Sequence, residues 1–112
     1  MLPKQNRLNL KKDFKWVASG GKLENSLVKL FFKQGDLPFP RVGIALSKAT
    51  FRKAVDRNRA RRLLSKGFEN LYNKLPSGIN IVALPKKEVI ELNSDQVTKS
   101  LEEILEKAGF KI

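Results

Sequence analysis

The chain of 112 residues contains no cysteine and no histidine, and only one methionine, one tryptophan and one tyrosine. Without cysteine it can form neither a disulfide nor a thiolate metal site, which fits a reducing compartment. The double absence also removes the commonest general base, the commonest neutral metal ligand and the thiol nucleophile. Acids are sparse before the C-terminal region: Asp13, Glu24, Asp36, Asp56 and Glu69 are scattered singly, with no D-x-D or E-x-x-E cluster to hold a catalytic Mg²⁺. No glycine-rich phosphate loop is present. Catalysis by protein side chains is therefore not expected, and neither a catalytic residue nor a metal ligand is assigned. No segment reaches the roughly 20 apolar residues of a membrane span, and the opening MLPKQNRLNLKK has no apolar run resembling a secretory signal. A cytoplasmic protein with one domain over residues 1–112 is expected, since this length supports a single core.

What the chain does have is positive charge. Lys and Arg number 23 against 11 Asp and Glu, a formal net charge of +12, which favours a polyanionic partner; a peripheral membrane protein is not expected, since no strongly amphipathic basic helix with exposed Trp, Phe or Leu is present. The charge is uneven. Residues 48–66 hold eight basic groups, Lys48, Arg52, Lys53, Arg57, Arg59, Arg61, Arg62 and Lys66, against the single acid Asp56. Residues 88–112 hold six acids against three lysines, and Glu102, Glu103 and Glu106 read as the solvated face of a helix.

Hydrophobic spacing sets the elements. A first helix over about Lys11–Ser19 has Asn9 as N-cap and Gly20-Gly21 as its stop, with Leu10, Phe14, Val17 and Ala18 on one face and Trp16 off that stripe. Lys22–Glu24 reads as a short edge strand. SLVKLFFKQ (26–34) alternates, placing Val28, Leu30 and Phe32 on one face and Leu27, Lys29, Phe31 and Lys33 on a second, mixed face. The turn GDLPFP (35–40) leads to a strand RVGIALS (41–47). A second helix runs from about Lys53 to Leu75, stopped by Pro76 and Gly78. Its apolar stripe is Ala60, Leu64, Gly67, Phe68, Leu71 and Leu75, with Arg59, Arg62 and Lys66 opposite, and Gly67 predicts a close approach to the sheet. INIVALP (79–85) is a buried strand and PKKEVIEL a loop. The last helix spans about Asp95–Ala108, with Asn93 and Gln96 at capping-box spacing and Gly109 as its stop. The result is a mixed α/β, or α+β, sandwich with helices covering a sheet.

Like-charge neighbours on the second helix, Arg57–Arg61, Arg59–Arg62 and Arg62–Lys66, each oppose helix formation by a few tenths of a kcal/mol. A merely solvated face would mix signs. Phosphates relieve the repulsion, and arginine suits their forked geometry, so this face is read as a nucleic-acid contact. Arg57 and Arg61 fall near the edge of the apolar stripe, where a core-edge role and an RNA contact make the same demand. Phe14 and Trp16 with Phe31 or Phe32 could line the cleft that a helix leaves where it crosses a sheet, and an aromatic there can stack an unpaired base.

The run SKATFRKAVDRNRARRLLSKGF (47–68), centred on Arg57-Asn58-Arg59 and Arg61-Arg62, resembles the signature of the protein subunits of bacterial ribonuclease P. Arg7-Leu8 and Asp13-Phe14 in NRLNLKKDFKWV, the strand PRVGIALSK and the strand INIVALPKK resemble other parts of that family, in the same order along nearly the whole chain. The resemblance implies an α-β-β-β-α-β-α two-layer sandwich. Its four-stranded sheet would have a left-handed βαβ crossover, like the second domain of small-subunit ribosomal protein five. It implies an accessory subunit, expected to be monomeric in the holoenzyme, that binds a catalytic RNA and the 5′ leader of precursor tRNA. Mg²⁺ would be held at the RNA active site and no cofactor by the protein. By position, Arg52, Lys53, Arg57, Asn58, Arg59, Arg61, Arg62 and Lys66 would face the catalytic RNA. Phe14, Phe32, Lys48 and Lys86 would line or border the leader cleft. The chain departs from the pattern at Ala18, where many members have a second aromatic, at Ala49, where a second lysine often follows the first, and at Ala60, where a larger aliphatic is usual. The alternative is a structural RNA-binding protein of ribosomal type.

Overall fold

The computed structural model describes residues 2–110. Its elements are α1 (Leu10–Ala18), β1 (Gly21–Glu24), β2 (Val28–Gln34), β3 (Arg41–Ile44), α2 (Ala54–Leu71), β4 (Ile79–Pro85) and α3 (Ser94–Lys107). Short 3₁₀ turns cover Lys4–Asn6, Tyr72–Lys74 and Lys87–Glu91. The expected α-β-β-β-α-β-α order is present. The loop read at PKKEVIEL contains one of these 3₁₀ turns.

The helix ends follow local chemistry. The Asn9 side chain accepts a hydrogen bond from the Lys12 amide and caps α1. Asn93 and Gln96 complete a reciprocal capping box on α3, and Gly109, at φ +92°, supplies the left-handed stop. The α2 helix ends at Leu71 rather than Leu75. Pro76 favours extended backbone at the preceding residue, and Leu75 has ψ 144°. The intervening 3₁₀ turn still carries Leu75 into the core. Tyr72 then ties this end down by donating from its hydroxyl to the Pro40 carbonyl at 2.6 Å.

The sheet order is β1-β2-β4-β3. β1 and β2 pair antiparallel, as do β2 and β4, while β3 runs parallel to β4. Side chains alternate across it. On one face Val28, Leu30, Val42, Ile79, Ile81 and Ala83 meet Ala60, Leu64, Phe68 and Leu71 of α2 and Val97, Leu101, Ile104 and Leu105 of α3 in the main core. On the other, Val82 joins Leu8 and Val17, with Leu10, Phe14, Phe31 and Leu84 packed around them. Helices thus flank both faces: α1 adds a partial third layer to the expected two, and with Leu8 just before it covers part of the second face.

Gly67 does mark a close approach, but to α3 rather than to the sheet. A Cβ there would lie 2.7 Å from Leu101 Cδ1 and 3.6 Å from both Thr98 Oγ1 and Val97 Cγ1. Helix–helix contact at this point closes the main core, and the stripe analysis could not say which partner lay opposite. Gly67→Leu should force α2 and α3 apart and lower unfolding stability by roughly 1–3 kcal/mol, read as a lower urea midpoint with an unchanged m-value; an unshifted midpoint would show that the contact yields freely.

Candidate nucleic-acid interface

The basic helix is two-sided. Ala60, Leu64 and Phe68 are fully buried beneath it, while Arg59, Arg61, Arg62 and Lys66 are exposed. Like charges remain clustered because the underside, not the outer face, holds the helix in place. The N-terminal end adds to the field. Lys53 occupies the N-cap position without a side-chain cap, Arg52 precedes it, and the positive end of the helix dipole points the same way. Asp56 is the single first-turn acid. Across a groove lined by Arg52, Lys53 and Asp56 stands Lys87 from the 3₁₀ turn after β4.

The arginines of this helix divide into distinct roles. Arg57 is half-buried and donates from Nη1 to the carbonyls of Phe51 (2.7 Å) and Arg52 (3.3 Å), bracing the loop that enters the helix. These contacts give Arg57 a structural role through Nη1 alone. Arg59 donates from Nε to Ile90 O (2.6 Å) and from Nη2 to Leu92 O (3.1 Å), tying the segment after β4 to α2. Of its five N–H donors, three remain for a ligand. Arg61 donates to Asn58 Oδ1 at 3.0 Å within the helix and borders a cavity of about 200 Å³ shared with Arg7, Leu8 and Ile44. Arg62 and Lys66, one turn apart, make no side-chain hydrogen bond among the described residues, though Lys66 feels the Glu69 carboxylate, and they are the cations most available to an incoming polyanion. Sequence spacing sees only the helix face and so could not separate these roles.

The second surface is the cleft beside α1. Phe14 and Phe31 meet edge to face, with ring centroids 6.0 Å apart. Lys29 Nζ sits 5.2 Å from the Phe31 ring centroid. At the adjoining edge, Lys86 pairs with Glu24 at 2.6 Å. That hydrogen bond and charge hold the Glu24 carboxyl below its ordinary range, with Lys29 and Lys22 adding to the effect. Lys48 is exposed in the turn after β3. Phe32 does not belong to this cleft. It lies on the opposite face of the sheet, packed against the main core and edge to face with Phe110 at 5.4 Å. The strand's period of two makes this unavoidable, because Val28 and Leu30 are buried with Phe32 and its neighbour Phe31 must face the other way. The mixed face bearing Lys29, Phe31 and Lys33 was the available signal for Phe31: apolar and basic side chains interleaved on one strand face suit a ligand better than a core.

These two surfaces can be set beside known proteins. A family model for ribonuclease P matches residues 2–109. The chain belongs to the ribonuclease P protein family. It is 34% identical over 110 residues to the ribonuclease P protein component of Pseudanabaena sp. (strain PCC 6903), covering 96% of this chain and 95% of that protein. It is 33% identical over 89 residues to the component from Thermotoga maritima, covering 79% of this chain and 75% of that protein. Among solved structures, the Thermotoga maritima RNase P protein superposes with a TM-score of 0.79 at 26% identity, over 90% of this chain and 96% of that one. A Staphylococcus aureus RNase P protein mutant gives a TM-score of 0.84 at 22% identity, over 96% and 92% of the two chains, and supports the shared fold.

The division of labour on α2 predicts two separable phenotypes. Arg62→Ala should leave stability within about 0.5 kcal/mol while flattening the salt dependence of RNA binding by roughly one phosphate contact. Arg59→Ala should also lower the melting midpoint, as expected for the loss of two hydrogen bonds of roughly 1 kcal/mol each. Thermal melts and salt-titrated binding of both variants check this; identical melting for the two would remove the structural role of Arg59.

Proposed function

We propose that this member of the ribonuclease P family assists removal of the 5′ leader from precursor tRNA by gripping two RNAs with two surfaces. The outward face of α2, with Arg62 and Lys66 foremost and Arg52, Lys53, Asn58, Arg59 and Arg61 around them, binds the catalytic RNA. The Phe14–Phe31 cleft, with Lys29, Lys48 and Lys86 along it, holds the single-stranded leader. The observation that carries the reading is the separation of the two surfaces: a basic helix on one side of the sheet and an aromatic, lysine-edged cleft on the other. Being a ribonuclease P component sets this chain apart from a ribosomal protein with no part in processing.

The chemistry of each surface follows from its side chains. Arginine forks neutralise backbone phosphates without reading sequence. An aromatic cleft accepts an unstacked base of any identity, for roughly 1–3 kcal/mol per base. The protein thereby positions the leader relative to the scissile bond and screens phosphate repulsion between two RNAs. It supplies no proton-transfer group. Among the described residues no three His, Cys, Asp or Glu side chains converge on a possible metal site, so the donor set does not suit a protein-held Mg²⁺. In this reading the ion belongs to the RNA, which carries the hydrolysis. The protein acts as a monomer in the holoenzyme. No described helix is long and apolar enough to cross a membrane.

Reconstitution with the catalytic RNA tests the reading: the protein should restore processing at low Mg²⁺ and show none alone. Leader cleavage by protein stripped of RNA would refute it. Within the cleft, Phe14→Ala and Phe31→Ala should each weaken precursor binding several-fold and spare mature tRNA, while Phe32→Ala should chiefly destabilise the fold, by roughly 2–3 kcal/mol given its partial burial. Equal losses for precursor and mature tRNA in the first two would point to packing alone. Glu24→Gln should release Lys86 to the leader, tightening precursor binding modestly and steepening its salt dependence. Because the Glu24 carboxyl titrates below its usual range, its restraint on Lys86 persists at neutral pH and is lost only as pH falls through that lowered value. Precursor affinity that tightens between pH 7 and 6 in the wild type but not in Glu24→Gln would contradict this.

A further inference from the structure

Trp16 is left over from both surfaces. It is the only tryptophan in the chain and, at 40% exposure, one of three exposed large hydrophobic residues among those described. About 200° of helical turn separates it from Phe14, so it stands on the opposite flank of α1 from the cleft. There it borders a groove of about 500 Å³ that also contains Leu37, a second of those three exposed residues.

The backbone at Trp16 is tied down, and Lys33 stands over its indole. Ser19 Oγ donates to the Trp16 carbonyl at 2.6 Å, and Lys33 Nζ donates to Ser19 Oγ at 2.8 Å. The same Lys33 Nζ lies 5.0 Å from the indole ring centroid, where it adds a cation–π contact. The far edge of the ring rests by the turn at Gly35, where a Cβ would come within 3.4 Å of Trp16 Cη2. A rigid aromatic plate beside a fixed ammonium is suited to stack a nucleobase and neutralise its phosphate.

A charged track connects this plate to the cleft. Going round α1 from Phe14, the exposed Lys11, Lys15 and Lys12 come in turn before Trp16. None of these side chains has an ion pair among the described residues. Asp13, the one acid of the helix, faces Arg41 at 3.7 Å. Asp13 and Asp36 line the groove together with Lys12 and Arg41, and Lys33 adds its ammonium at the indole face. Trp16 lies on the α1 side of the sheet, as the Phe14–Phe31 cleft does, whereas the arginine helix lies across the sheet from it.

We infer that Trp16 is a second base-stacking site for the precursor: leader nucleotides beyond those in the cleft cross the lysine ridge of α1 and place a base on the indole. The inference rests on the cleft being the leader site. Its occupant is the distal leader, because the track continues from the cleft and not from α2.

The tryptophan supplies its own assay in the assembled holoenzyme. Its emission should be unchanged when catalytic RNA binds, unchanged by mature tRNA or by a precursor whose leader ends inside the cleft, and quenched once the leader is lengthened past the ridge. An abasic nucleotide at the stacking position should restore the emission. Trp16→Ala should weaken binding of the long-leader precursor roughly tenfold and leave the short-leader precursor unaffected, with Trp16→Phe between the two. Quenching by catalytic RNA alone, or quenching independent of leader length, overturns the inference. If Phe14→Ala weakens short-leader binding but Trp16 never reports the long leader, only the distal site fails. If Phe14→Ala has no effect on either precursor, the cleft reading fails first.

Discussion

The structure depends on how a helix carrying four arginines in six positions is kept folded. Mutual repulsion along Arg57–Arg62 works against α2 at every turn, and the helix lacks a side-chain N-cap. What holds it is the apolar underside. Ala60, Leu64 and Phe68 are fully buried against the sheet, and Gly67 lets α3 close over them. Burial of Leu64 and Phe68 contributes roughly 1.5–3 kcal/mol each, several times the cost of one like-charge pair. The charge is tolerated because its support is elsewhere. That leaves the outer face free to meet phosphate.

The same economy of placement organises the arginines. Two of them spend part of their donor capacity on other segments of the chain: Arg57 on the loop entering α2, and Arg59 on the segment leaving β4. Both therefore build the platform from which Arg62 and Lys66 project. The Arg59 contacts to Ile90 and Leu92, together with the buried Val89, fix the segment that carries Lys86 and Lys87 relative to α2.

The sheet acts as a partition. Its α2–α3 face is apolar and sealed. Its α1 face is only partly covered, and the uncovered part interleaves Phe31 with Lys29 and Lys33. A single nine-residue helix across that face leaves a groove on each flank. The cleft lies on one flank and Trp16 on the other, with the lysines of α1 between them.

Much of this was legible in the order of residues. Caps at Asn9 and Asn93, the stop at Gly109, the alternation of β2 and the apolar stripe of α2 are local signals, decided by neighbours three or four positions away, and each of these elements is present, with α2 ending four residues early at Leu71. The absence of His, Cys and acid clusters bounded the chemistry in the same way. Partners distant in sequence were a different matter. That Gly67 meets α3, that Arg59 reaches Ile90 and Leu92, and that α1 covers the face bearing Phe31 all depend on which surfaces the chain folds together. The assignment of Phe32 to the cleft shows the boundary: strand period put it beside Val28 and Leu30, and only the position of α1 revealed that the open face was the other one. Periodicity determines which side chains share a face; tertiary packing determines which face is buried and which is left for a ligand, because that choice is made by contacts between elements and not within them.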